Sequence, residues 1–214
     1  MKIIEPSLLA YSNNENELKK ELIKLKTQGI KSLHYDVMDG IFVSNTAFEG
    51  EHINLIKEIG FDITVHLMVK DVDSYLDKFL QYPLKAITFQ CEAVSIYQNF
   101  KYLKKIKNHG FLAGIAIKPD TNFNDYKEVF KKVDLVTYMS VFPGKGGQQF
   151  ISGSIKRVRE LKKLLPIRSI IQIDGGINDL NMHLVKKDVE WFVMGSYSKD
   201  NINIIGNLQE ELNE

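Results

Sequence analysis

The sequence predicts an α/β chain folded as one (β/α)8 barrel, and three observations predict it. Short β-rich runs alternate with longer runs of helical period along the whole length. The alternation resolves into eight βα units of roughly 20–30 residues each, the number that closes a barrel. No linker, low-complexity tract or break in composition interrupts residues 1–214, so one domain is expected. Strands separated by helices pair in parallel through crossovers. A doubly wound open sheet is the alternative topology for the same alternation.

The elements follow in order. A strand over Lys2–Leu9 precedes a helix over Asn14–Gln28, which stops at Gly29. Strand Ser32–Val37 leads to helix His52–Ile59 and a stop at Gly60. Strand Ile63–Leu67 leads to helix Val72–Leu80, and strand Ala86–Phe89 to helix Ser95–Asn108, closed by Gly110. Strand Leu112–Ile117 precedes helix Asn124–Lys132, and strand Leu135–Met139 precedes helix Gly153–Leu165. Strand Ser169–Ile173 with helix Leu180–Lys187, and strand Trp191–Met194 with helix Ile202–Leu212, complete the set. Lysines such as Lys19, Lys20, Lys104, Lys105, Lys131 and Lys132 read as the solvated outer faces of these helices.

Composition excludes several function classes. Apolar residues make up 44% and charged residues 26%, enough to bury one sizeable core. A net charge of +1 gives no global attraction for nucleic acid or anionic membrane. With Cys91 as the single cysteine, neither an intrachain disulfide nor a cysteine zinc site can form. Residues 1–12 make a poor signal peptide, and no apolar run approaches the ~18 residues of a membrane span. A cytoplasmic location is expected.

Barrel sites gather at the C-terminal ends of the strands. The second strand ends His34-Tyr35-Asp36-Val37-Met38, and alternation puts His34, Asp36 and Met38 on one face. The third ends His66-Leu67-Met68, with His66 and Met68 together, and the seventh ends at Asp174. Alone, each histidine reads as a packed core or rim residue and each aspartate as a helix cap. Together, two imidazoles and two carboxylates make a divalent metal site suited to zinc, iron, manganese or cobalt. Spacing leaves both readings open.

Glycines cluster after the late strands, at Gly144, Gly146 and Gly147, at Gly175-Gly176 and at Gly195-Ser196. Such clusters let backbone N–H groups approach an anion, and phosphate sites in these barrels follow the late strands. The first cluster alone would read as a mobile loop. His52, His109 and His183 fall in or beside helices and read as surface or capping residues. Cys91 reads as an inert small side chain, and Asp39-Gly40 as a turn.

These residues carry a resemblance. Pro6-Ser7-Leu8-Leu9, the run His34 to Val43, Val65-His66-Leu67-Met68, the loop Met139 to Phe150, Ile173-Asp174-Gly175-Gly176-Ile177 and Gly195-Ser196 resemble the ribulose-phosphate 3-epimerases. The match runs in order from residue 5 to about residue 196. It implies a TIM barrel of the ribulose-phosphate-binding type that interconverts D-ribulose 5-phosphate and D-xylulose 5-phosphate. It implies one divalent metal ion, zinc first, on His34, Asp36, His66 and Asp174, with Asp36 and Asp174 as the acid–base pair. Ser7 and His66 match substrate contacts, and Met38, Met68 and Met139 match methionines lining the site. Gly144, Lys145, Gly146, Gly147, Gly175, Gly176, Gly195 and Ser196 match the sugar and phosphate contacts. No organic cofactor is implied, and relatives form dimers or hexamers, so a homo-oligomer is expected.

Chemistry agrees with those roles. Inverting carbon 3 requires removing a proton beside the carbonyl and returning one from the opposite face, which calls for two carboxyl groups, one ionised and one protonated. A metal stabilises the enediolate oxygens. The chain departs from the family pattern at Gln90, where a histidine is usual, at Phe142, at Lys145 and after Ser196. Gln90 and Phe142 keep open a ketohexose 6-phosphate such as allulose 6-phosphate as substrate, and Lys145, where a phenylalanine is usual, reads as pointing to solvent before it reads as reaching a phosphate. A catalytically silent sugar-phosphate binder is the reading outside enzymology. A decarboxylase or synthase relative would need a lysine beside its carboxylates, and the strand-end set has none.

Overall fold

A computed structural model describes residues 2–214. Eight parallel strands run β1 Ile3–Pro6, β2 Ser32–Met38, β3 Asp62–Met68, β4 Ala86–Gln90, β5 Leu112–Ile117, β6 Leu135–Met139, β7 Ile170–Asp174 and β8 Trp191–Met194. Their spatial order is β1-β8-β7-β6-β5-β4-β3-β2. β1 pairs with β8 through Ile4 and Phe192, and the Ser7–His34 bridge brings it to β2 on the other side. The sheet therefore closes on itself, which sets aside the doubly wound alternative.

Alternation along each strand sorts the side chains into an inner and an outer set. The outer set, including Leu33, Tyr35 and Val37 of β2, packs under the helices in the main core. Helix α1, Glu15–Thr27, contributes Leu18, Leu22 and Leu25 to it, spaced along one face. Asn14 caps α1 by accepting from the N–H groups of Asn16 and Glu17, and Lys24 and Lys26 sit in the last turn, where cations favour the helix dipole. Helices α2 Ile53–Ile59, α3 Val72–Phe79, α4 Ile96–Asn108, α5 Lys127–Phe130, α6 Ser154–Leu164 and α7 Asp179–Val185 continue the outer ring. Ser95 with Gln98 on α4, and Asn178 with Asn181 on α7, form reciprocal capping boxes.

The inner set forms layers. Ala86, Leu135 and Trp191 plug the bottom of the barrel, and Met38, Val43 and Met68 cluster at the top. Between them lies a fully buried polar layer that includes Glu5, Ser32, Thr64, Thr137 and Gln172.

Three elements differ from expectation. β1 stops at Pro6 rather than Leu9, because the chain turns into a 3-10 segment at Leu8–Ala10. The fifth helix begins as a 3-10 turn at Phe123–Tyr126. The helix expected over Ile202–Leu212 is present as α9 Ile205–Glu211, and an unexpected short helix, α8 Ser196–Asp200, precedes it directly after β8. Tyr197-Ser198-Lys199 carries little apolar periodicity, which hid it.

Candidate active site

Four side chains converge at the C-terminal end of the barrel. β2 supplies His34 and Asp36, β3 supplies His66, and β7 supplies Asp174. One nitrogen or oxygen from each lies within 4.8 Å of all the others. His34 Nε2 is 3.4 Å from Asp36 Oδ1 and 3.9 Å from Asp174 Oδ2. His66 Nδ1 is 3.3 Å and 3.8 Å from the same two oxygens. The two ring nitrogens facing this point are buried and have no hydrogen-bond partner. A buried, unpaired polar atom is costly unless something coordinates it. Two imidazole nitrogens and two carboxylate oxygens fit a divalent ion, so the group can hold one.

The opposite ring nitrogens are held from behind. His34 Nδ1 is 3.1 Å from Thr64 Oγ1, and His66 Nε2 is 3.0 Å from the side-chain amide of Gln90. Gln90 is fully buried, so this departure from the family's usual histidine touches a ring of the cluster and not the open pocket.

Charge separates the two carboxyl groups. Burial disfavours a charge on Asp36, but His34 and His66 beside it hold its carboxyl well below the usual carboxylate range. Burial and the nearby Asp36 charge push Asp174 up to about 6. Burial also opposes a charge on His34, yet Asp36, Asp174 and Glu5 outweigh it and raise the ring to about 9.

Above the cluster opens a cavity of 760 Å³. Ser7, Asp36 and Asp174 form its floor, and Met38, Met68 and Met139 line it. Gly144, Lys145, Gly146 and Gly147 line it from the loop after β6, and Gly175, Gly176, Gly195 and Ser196 from the turns after β7 and β8. His34 and His66 lie beneath it, fully buried. The β6 loop is tied to β7, since Ser140 N–H donates to the Asp174 carbonyl at 2.7 Å and its hydroxyl to the Gly175 carbonyl at 2.7 Å. Gln148 holds the glycine turn by donating to the Phe142 and Lys145 carbonyls, each at 2.7 Å. Gly175 and Gly176 adopt φ of 120° and 64°, and a Cβ on Gly176 would meet the Phe150 nitrogen at 2.5 Å.

Residues that sequence reasoning missed also reach the cavity. Asn45 lines it and donates to the Gly144 carbonyl at 2.7 Å, joining the β2 loop to the β6 loop. Asn178, Tyr197 and Asp200 line the far wall. Asn45 sits in an irregular loop with no periodicity to flag it, and Tyr197 and Asp200 belong to the unforeseen α8. The remaining histidines keep away: His52 and His109 flank helices, and His183 lies 3.4 Å from Glu211. Cys91 is buried and unbonded to another cysteine. Asp39 accepts from the N–H groups of Ile41, Phe42 and Lys70, the turn its Asp-Gly pair predicts. Among the described residues, no helix is long and apolar enough to cross a membrane.

The model of the ribulose-phosphate 3 epimerase family matches residues 3–198. A protein of Mycoplasma pneumoniae named ribulose-phosphate 3-epimerase is 38% identical over 179 residues, 83% of this chain and 81% of that one. Proteins of the same name from Mycoplasma genitalium and Aquifex aeolicus are 39% and 34% identical, covering 85% and 92% of this chain and 86% and 89% of theirs. Among solved structures, KGPDC from Streptococcus mutans superposes with a TM-score of 0.73 at 12% identity, over 99% of this chain and 97% of that one. The tryptophan synthase α-subunit from Pyrococcus furiosus gives 0.68, also at 12% identity, over 99% and 92%. At such identities these two share the fold alone.

Proposed function

The chain belongs to the ribulose-phosphate 3-epimerase family, and from that premise we propose that it interconverts D-ribulose 5-phosphate and D-xylulose 5-phosphate, with Asp36 and Asp174 moving the proton at carbon 3. It is an isomerase acting on a phosphorylated ketose. The observation that carries the assignment of roles is the opposed electrostatics of two carboxyl groups on one cavity floor. Asp36 is held ionised beside two histidines, whereas Asp174 is pushed up to about 6. Groups whose environments drive their affinities for a proton apart are suited to opposite acid and base roles.

Asp36 takes the carbon 3 proton from one face of the substrate, and Asp174 returns one from the other. The Ser7 hydroxyl donates to Asp36 Oδ2 at 2.8 Å and aims the other oxygen toward the histidines. Met38, Met68 and Met139 give the reacting carbons an apolar, polarisable wall that does not compete for hydrogen bonds. The sugar and phosphate contacts fall to the backbone of Gly144, Gly146, Gly147, Gly175, Gly176 and Gly195 with Ser196, and Lys145 adds a positive charge to that side. His34, Asp36, His66 and Asp174 would hold one divalent ion, zinc first and iron, manganese or cobalt as alternatives. When bound, such an ion would supply positive charge to offset the negative charge that develops on the substrate as the carbon 3 proton leaves. No organic cofactor enters the reading.

The described residues act as one catalytic domain in the cytoplasm. Phe142, exposed on the cavity wall, and Ile41, exposed on the loop after β2, give a homo-oligomer, dimer or hexamer, apolar surface to use. Phe142 also lines the cavity, which keeps a ketohexose 6-phosphate as the second substrate reading. Turnover of D-ribulose 5-phosphate and of allulose 6-phosphate by the metal-loaded protein separates the two. Conversion of the pentulose supports the first, and conversion of the hexulose alone overturns it. Binding of either sugar without turnover would leave the silent-binder reading standing.

A further inference from the structure

We infer that Glu5 is a positioning residue for the ion site, selecting through Thr64 the tautomer of His34 that leaves Nε2 free as a ligand. The inference rests on the metal reading of His34, Asp36, His66 and Asp174 proposed above.

Glu5 is fully buried inside the barrel, one layer below the cluster. No lysine or arginine pairs with it among the described residues; its carboxyl is instead met by three donors. The Ser32 hydroxyl donates to Oε1 at 2.5 Å, the Gln172 amide to Oε2 at 2.5 Å and the Thr64 hydroxyl to Oε2 at 3.2 Å. These donors stand on β2, β3 and β7, the three strands that carry the four ligands. Ser32, Thr64 and Gln172 each lie two residues before His34, His66 and Asp174 respectively. One carboxyl thus ties together the strands whose ends form the site.

Its effect on His34 follows from counting protons. Thr64 has one hydroxyl proton and sits 3.1 Å from His34 Nδ1. Glu5 Oε2 is the nearer acceptor of that proton, at 3.2 Å against 3.4 Å for the Leu33 carbonyl; with the proton given to Glu5, the Thr64 oxygen faces Nδ1 with a lone pair, and Nδ1 must carry hydrogen. A neutral imidazole protonated at Nδ1 has its free lone pair at Nε2, the atom that is buried, unpartnered and 3.4 Å from Asp36. If Thr64 gave its proton to Nδ1 instead, Nε2 would carry hydrogen and could not ligate. Gln172 is no substitute orienter. It lies 3.5 Å from Nδ1, while its amide already donates to Glu5 and its oxygen accepts from Thr137 at 2.6 Å. Partners of this kind behind a ligating histidine are worth about 10–100-fold in metal affinity.

The test is zinc affinity of the metal-free full-length protein, measured by competition with a chromophoric chelator, for the parent, Glu5→Gln, Thr64→Val, Thr64→Ser and the Glu5→Gln/Thr64→Val pair. The expected result is zinc binding weakened about 10–100-fold in Glu5→Gln and Thr64→Val, and near the parent in Thr64→Ser. The pair should lose no more than the larger single loss, because both act on one path. Melting curves of the metal-free variants check that each is folded; if Glu5→Gln is not, the contrast between Thr64→Val and Thr64→Ser decides alone. Unchanged affinity in the variants, or losses that multiply in the pair, overturns the inference. Failure of the parent to bind zinc overturns the metal reading and the inference with it.

Discussion

The Ser7 hydroxyl donates to Asp36 Oδ2 at 2.8 Å across the seam where the first and second strands close the barrel. One carboxyl oxygen is thereby fixed by the residue that follows β1, and the other is left to the two histidines. A charge-assisted bond of this kind contributes about 1.5–3 kcal/mol. Ser7→Ala should therefore lower kcat by about tenfold or more. Losing a donor to the ionised form also raises the Asp36 pKa, so the acid limb of the pH–rate profile should move upward. A profile that does not move would remove Ser7 from the positioning of Asp36.

Asp36→Asn and Asp174→Asn keep side-chain size and remove the proposed proton-transfer group. Each should cost about 10²–10⁴-fold in turnover, the usual worth of a positioned acid or base, with the circular dichroism of the folded parent retained. Near-parent rates in either variant would contradict the acid–base assignment.

Metal binding should strengthen with pH. The His34 ring, raised to about 9 from an ordinary 6.5, must lose its proton before Nε2 can ligate. Zinc affinity should therefore climb by about tenfold per pH unit through that range. Without metal the same shift acts on stability with the opposite sense. A histidine whose folded pKa is raised stabilises the fold fully below about pH 6.5, and that contribution is lost as pH rises toward about 9. Asp174, raised to about 6, adds a loss of stability that begins as pH rises through the ordinary carboxylate range and is complete above its folded value. Metal-free protein should thus melt at lower temperature at pH 9 than at pH 6.5, and zinc should remove the difference. Equal melting temperatures would contradict this.

Gly176→Ala should damage the cavity wall. Its Cβ would lie 2.5 Å from the Phe150 nitrogen and 2.8 Å from the Gln148 carbonyl oxygen, both backbone atoms that no side-chain rotation can relieve. A φ of 64° adds strain for any residue but glycine. A loss of about 1–3 kcal/mol is expected, read as a fall in melting temperature of about 2–4 °C per kcal/mol for a chain of this size. Full stability and full turnover would show that the turn is free to rearrange.

Lys145→Ala tests the proposed phosphate side. The residue is exposed on the cavity wall, and removing its charge should raise KM by about tenfold, one charge-assisted contact, with kcat preserved. An unchanged KM would assign the side chain to solvent.

The barrel and the convergence of His34, Asp36, His66 and Asp174 were legible because strand periodicity puts i and i+2 on one face and the four residues fall on matching phases. Glu5, Ser32, Thr64 and Gln172 obey the same period, yet nothing in a single strand marks them as a layer. Each strand brings one ordinary-looking polar residue, and only barrel closure assembles them. Glu5 was further hidden in a short apolar run read as one continuous strand. Tyr197 and Asp200 were missed for a local reason, since a five-residue helix is too short to show its own periodicity. Asn45 reaches Gly144 across 99 positions of chain, a distance at which sequence pattern carries no signal.

The most direct test of two-carboxyl epimerisation follows D-ribulose 5-phosphate by proton NMR in deuterated water, with metal-loaded parent and Asp36→Asn side by side. The account predicts that D-xylulose 5-phosphate appears with deuterium at carbon 3 in the parent and that both signals are lost in the variant. Xylulose 5-phosphate formed without deuterium incorporation, or formed equally fast by Asp36→Asn, would contradict it.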